Sequence, residues 1–187
     1  KLAQDIISGE TALTAEPALT DELLLSDAGT LKRIDYSLIT NTPSFLAYAG
    51  ASHNPSDATN TDVQYNTEAF DIGSCFNTGT YTFTPNVAGK YLLFCAIRVG
   101  SDTSRPAMIE IQGRIRKNGG NCANQLLSSY SSSNLDAFNI PITTIVEANG
   151  SSDAFKVDTF VDVDAGTITV SSGQQQTYFG GYKLIGV

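Results

Sequence analysis

Polar and apolar residues alternate through "GTYTFTP" (79–85), which predicts a β-strand with one wet face and with Tyr81 and Phe83 pointing the same way. The next segment, "KYLLFCAIRV" (90–99), is apolar on both faces from Tyr91 to Ile97. Such a strand needs cover on both sides. One side is the core of a sandwich; no amphipathic helix is available for the other, so the pattern points to a second subunit. The last strand, "TYFGGYKLIGV" (177–187), repeats the signal, with Tyr178, Tyr182 and Leu184 on one face and Phe179, Ile185 and Val187 on the other. Its glycines, Gly180, Gly181 and Gly186, are expected to let chains approach closely. Phe160, backed by Val161 and Val163, is a third apolar position of this kind.

Shorter β-signals fill the rest of the chain. They occur at "SFLAYAG" (44–50), "VQYN" (63–66), "EAFDI" (68–72), "MIEIQGRIRKNG" (108–119) and "NQLLSS" (124–129). In the fourth of these, Ile109 and Ile111 share a face, and Gly113 predicts a bulge before Ile115. Three more strands lie within 142–172, with turns at Asn149-Gly150 and Ala165-Gly166. No helical period extends over ten residues and no internal repeat is present. Strands at this spacing predict an all-β sandwich or barrel.

The first forty residues differ. Residues 22–26 and 31–39 read as strands around a turn at Asp27-Ala28-Gly29, with Ile34, Tyr36 and Leu38 on one face. A lone hairpin is marginal in water. "TNTPS" (40–44) breaks strand and helix alike, dividing the chain into an attachment segment (1–41) and a β-domain (42–187).

Composition narrows the partners. Charged residues are only 16% of the 187, against about a quarter in ordinary soluble domains. The net charge of −8 disfavours a nucleic-acid partner. No run reaches the ~18 apolar residues of a membrane span. The three cysteines lack CxxC spacing. They read as small buried residues, or as a Cys75–Cys95 bridge if those strands come within reach.

Catalytic groups are sparse. His53 is the only histidine, sits in a polar loop, and reads as solvent-exposed. No nucleophile motif accompanies it. In "VDTFVDVDAG" (157–166), Asp158, Asp162 and Asp164 share a face and are calcium candidates; the other reading is a solvated acidic surface. No other cofactor is implied. "RIRKNGGN" (114–121) is the one basic cluster, either a charged edge or a contact surface. The Ser-, Asn- and Gly-rich loops suit recognition of sugars or proteins. They supply receptor candidates in Ser101, Asp102, Arg105, Asn118, Asn121, Tyr130 and Asn134.

The stretch 63–99 resembles the globular head of complement C1q and its relatives, the tumour-necrosis-factor-like jelly rolls. The resemblance rests on "VQYN" at 63–66, "FD" at 70–71 and "NTGTYTFTPNVAGKYLLF" at 77–94, with the closing pattern Phe179, Gly181, Tyr182 and Leu184. The middle, 100–141, departs from the pattern, and no collagen-like Gly-X-Y repeat precedes the domain. The resemblance implies a ten-strand jelly roll in a compact homotrimer. Its axis is expected to be lined by Tyr48, Phe160, Tyr178, Tyr182 and Leu184. Residues 18–39, "ALTDELLLSDAGTLKRIDYSLI", resemble short modules of phage tail-fibre proteins. Together these imply a non-enzymatic virion appendage that joins other virion proteins through 1–41 and binds a host-surface glycan or protein through distal loops. A secreted, extracellular C1q-like lectin or ligand-binding module is the alternative.

Overall fold

The computed structural model describes residues 11–18, 20–101, 108–128, 137–164 and 166–186. Contacts divide the chain into two units, Lys1–Thr40 and Asn41–Val187.

In the first unit β1 (Glu22–Asp27) pairs antiparallel with β2 (Thr30–Asp35). Ala28 and Gly29 both take positive φ, 49° and 88°, the primed two-residue turn whose twist suits a hairpin. The second strand is shorter than its sequence suggests. Its last pair is Glu22 with Asp35, and Tyr36–Leu38 then turns as a 3-10 segment once the partner strand has run out. Ile34, Tyr36 and Leu38 therefore do not share a strand face. Leu23, Leu24, Leu25 and Leu31 are all exposed.

The second unit is a two-sheet sandwich. Its first sheet runs in the order β11 (Ala137–Asn149), β8 (Ala88–Ser101), β14 (Tyr178–Lys183), β3 (Ser44–Tyr48), β5 (Thr67–Ile72), with β13 (Ile168–Val170) also on β8. The second runs β10 (Gly120–Ser128), β9 (Met108–Lys117), β12 (Phe155–Val163), β7 (Thr82–Phe83), β6 (Phe76–Asn77), with β4 (Thr61–Asp62) on β12. Neighbours pair antiparallel, and consecutive strands repeatedly change sheets, as in a jelly roll. The described strands of this unit number twelve rather than ten, because contacts as short as two residues pair alongside the long strands.

Period-two side-chain direction builds the core. From β8, Tyr91, Leu93, Cys95, Ile97 and Val99 point inward and are buried. Phe45, Phe83, Phe155 and Phe179 join them, with Phe45 and Phe83 stacked at 4.4 Å between ring centroids. Each such side chain contributes roughly 1.5–3 kcal/mol through burial. Pro141 lies in β11, which ends its sheet, and an edge strand tolerates a residue with no N–H.

Several local expectations are corrected. "GTYTFTP" contributes only the two residues of β7; Tyr81 takes φ 56°, in a turn that Asn77 Oδ1 closes by accepting from the N–H groups of Gly79 and Thr80. "VQYN" is not a strand, although Val63 and Tyr65 are fully buried and Val63 N–H donates to Val157 O. The bulge predicted at Gly113 lies elsewhere. Gly113 pairs in register with Thr159, while the slip falls opposite Asp162 and Val163, around Ile109. Ile111, Gly113 and Ile115 all face inward, and a Cβ on Gly113 would come within 2.9 Å of Ile140 and 3.0 Å of Ile97. Ile185, past the end of β14, is exposed rather than buried beside Phe179.

Candidate functional site

The two outer faces of the sandwich differ in chemistry. On the first sheet, register sets three rows side by side. One runs Ile145, Leu92, Tyr182, Ser44, Ile72. The next runs Thr143, Phe94, Gly180, Leu46, Phe70, and the third Pro141, Ala96, Tyr178, Tyr48, Thr67. None of these residues is charged. Phe70, Ile72 and Ile145 remain 45%, 46% and 60% exposed, and Leu46, Tyr48, Leu92, Phe94, Tyr178 and Tyr182 are half-buried. This is the second greasy side of β8 anticipated from its sequence.

Of the predicted axis residues, Tyr48, Tyr178 and Tyr182 meet on this face. Phe160 does not: it alternates out of β12 onto the outer side of the second sheet. Leu184 follows β14, half-buried, its N–H donating to Lys90 O at 2.8 Å. The glycine expectation also changes. A Cβ on Gly180 would meet Phe94 at 2.6 Å and Leu46 at 3.0 Å, and one on Gly181 would meet Leu93 at 2.5 Å. Side chains of the same chain fill these gaps, and Gly180 is what lets Phe94 and Leu46 lie across β14. Leu46, Leu92, Phe94, Phe70, Ile72 and Ile145 were not singled out from sequence; reading every second residue of β3, β5, β8 and β11 would have found them.

The outer face of the second sheet is charged. Asp158, almost fully buried, accepts from Arg114 Nε at 2.7 Å and Nη2 at 2.9 Å, and from Arg116 Nη1 at 2.8 Å. This buried bidentate pair removes Asp158 from the calcium candidates, since both its oxygens are already engaged by cations. Asp162 is half-buried on the same face, and Asp164 is exposed beyond the strand end. Among the described residues no group of three or more His, Cys, Asp or Glu side chains is placed to hold a metal. The basic cluster is no free edge either, because β9 is flanked by β10 and β12.

Arg116 also donates from Nε to Gly119 O at 3.0 Å and from Nη2 to the same oxygen. Lys156 Nζ donates to Asp62 Oδ2 at 2.7 Å. These side chains, with Thr82, Asn118, Gly119 and Ala154, line a cavity of about 240 Å3. Asn118 is committed locally: its Nδ2 donates to Asp153 Oδ1 and its Oδ1 accepts from Ala154 N–H, both at 2.8 Å. Lys117 beside Asp153 holds that carboxyl below its ordinary range. Asn121 is exposed on β10 opposite Arg116. Asp102, Arg105, Tyr130, Asn134 and the side chain of Ser101 lie outside the described residues.

His53 is not the solvent-exposed loop residue expected. Its backbone forms a bridge with Val170, its Nε2 accepts from Gln64 N–H at 3.4 Å, and its buried Nδ1 has no hydrogen-bond partner among the described residues. Burial lowers its pKa below the ordinary 6.5. The cysteines form no disulfide; Cys75 and Cys95 are buried, and Cys122 is exposed. Burial pushes the Cys95 thiol up to about 12.

The fold that positions these faces is a two-sheet jelly roll, and comparison with solved structures places it in the tumour-necrosis-factor and C1q type. The chain is similar to Eiger TNF from S. frugiperda, at 13% identity and TM-score 0.57, over 77% of this chain and 93% of that one. It is also similar to the globular domain of zebrafish complement 1qA protein, at 14% identity and TM-score 0.52, over 76% and 98%. Murine APRIL matches at 13% identity and TM-score 0.54, over 75% and 98%. No protein-family model matches the chain, and no curated protein does so by sequence.

Proposed function

We propose that this chain is the subunit of a homotrimeric, non-enzymatic virion appendage whose head binds a host-surface glycan or protein. The observation that carries the trimer is the block of uncharged, partly exposed residues across the middle of the first sheet's outer face, bordered by the charged pair Lys90 and Glu147 on one side and Arg98 on the other. Contiguous apolar surface of this kind usually marks an interface. The jelly-roll fold, and the C1q- and TNF-like motifs at 63–99 and 179–184, support three as the number of copies. The phage-fibre-like segment 18–39 supports a virion setting, with residues 1–41 joining the head to other virion proteins. Three copies of each binding loop would raise avidity without strong single contacts. The only histidine is committed to packing and to Gln64, which fits a binding role better than a catalytic one.

The test is light scattering on the whole chain. The wild type is expected at three times 19.9 kDa. Tyr182→Asp, which places a charge in the middle of the apolar rows, is expected to give monomer, while Phe160→Ser, on the other sheet, leaves the mass unchanged. A trimer that survives Tyr182→Asp would remove this face from the interface.

Solved structures similar to the head include a TNF and a C1q domain, and this favours one other reading, a secreted extracellular ligand-binding module of cellular origin. A signal peptide or collagen repeat encoded upstream would select it; neighbouring tail or capsid genes would select the virion.

A further inference from the structure

We propose that the cavity on the outer face of the second sheet binds an acidic sugar unit, a single pyranose ring carrying one carboxylate. The cavity, about 240 Å3, falls below the ~300–1,000 Å3 of drug-sized sites and suits one small polar ring. Its walls come from one chain, β4, β7, β9, the turn after β9, and β12 with the residue before it, so every lining group is supplied by a single copy.

The charge around it runs against that of the molecule. The chain carries −8, yet the lining here holds Arg116 and Lys156 against the single carboxylate of Asp62, with Asp158 behind Arg116 and Asp153, paired with Lys117, behind Asn118. Arg116 and Lys156 are reachable, with side chains 32% and 38% exposed. Each also has donors in hand. A guanidinium carries five N–H bonds, and the described contacts of Arg116 use three; the Lys156 ammonium carries three and uses one. Arg116 is held from two sides, by Asp158 and by Gly119 O, which leaves one N–H on Nη1 and one on Nη2 for a ligand oxygen.

Asp62 decides which anion fits. Its carboxylate shares the cavity and would repel a dianionic phosphate more strongly than a monoanion. Its Oδ1 takes no hydrogen bond among the described residues and is available to accept from a ring hydroxyl. Because the Lys156–Asp62 pair is partly solvated, with side chains 38% and 44% exposed, exchanging it for a ligand costs less than breaking a buried pair. Cationic donors for one carboxylate, beside an anionic acceptor for hydroxyls, describe a uronic acid better than a neutral sugar or a sugar phosphate.

The experiment is NMR titration of the whole chain with glucuronate, glucose and glucose 6-phosphate in turn at moderate salt. Glucuronate is expected to bind best, shifting backbone resonances at 116–119 and 154–156. Lys156→Gln is expected to weaken glucuronate about fivefold with the melting temperature unchanged. Asp62→Asn is expected to raise the affinity for glucose 6-phosphate relative to glucuronate. The proposal is overturned if glucose binds as well as glucuronate, if the phosphate binds better to wild type, if Lys156→Gln has no effect, or if no shifts occur at these residues. Failure here leaves the trimer untouched, since its readout is mass.

Discussion

Asp158 shows how one side chain can fix a sheet. It joins β12 to β9 through two arginines, and with Arg114 it is nearly dry. Removing one member of a buried pair costs about 3–5 kcal/mol, because its partner keeps an uncompensated charge. Asp158→Asn is therefore expected to lower unfolding stability by about that amount in urea denaturation. A loss of only a few tenths would mean the arginines are solvated after all. None of this was legible in sequence: Asp158 stands 44 residues from Arg114, and its neighbours Asp162 and Asp164 suggested a metal instead.

At the scale of elements, the long strands were readable and the short ones were not. β8, β11, β12 and β14 carry enough residues for a period of two to emerge, and the exposed outer side of β8 was implied by its unbroken apolar run. β4 and β7 are two-residue contacts inside loops; β4 is held by β12, far along the chain, and β7 by β12 and by the equally short β6, so neither is long enough for a local pattern to emerge. Gly113 misled for a related reason. It is small because Ile97, Ile140 and Ile142 crowd it from the other sheet, a distant cause that looks locally like a bulge.

The loop carrying His53 belongs to this scale too, because its backbone bridge joins it to β13. Burial depresses the pKa of His53, so the folded state holds a proton less readily than the unfolded chain. Its contribution to stability is whole above about pH 6.5, falls as pH drops and the unfolded chain takes up the proton, and stops changing below the folded pKa. The urea midpoint is expected to fall between pH 7.5 and 5.5, and to fall less in His53→Gln. Equal falls in both proteins would assign the change to other groups.

In the second unit, the sandwich places an outer face with an uncharged centre and a charged outer face back to back. An assembly held by that uncharged centre should depend little on ionic strength, because screening acts on charges and high salt does not weaken apolar contact. The trimeric mass is expected to persist in about 1 M sodium chloride, where the Debye length is near 3 Å. Dissociation under those conditions would move the interface to the charged side. The fold class was legible in the alternation of the chain and in its C1q-like motifs. The geometry of the cavity was not, since it joins Asp62, Arg116 and Lys156 from three strands.

Pro141 has a consequence beyond its own strand. β11 borders its sheet, and a foreign strand zipping along that border would need an unbroken series of amide donors. The imide nitrogen interrupts the series. Where many copies of such a head are concentrated, this border carries its own stop against runaway fibril growth.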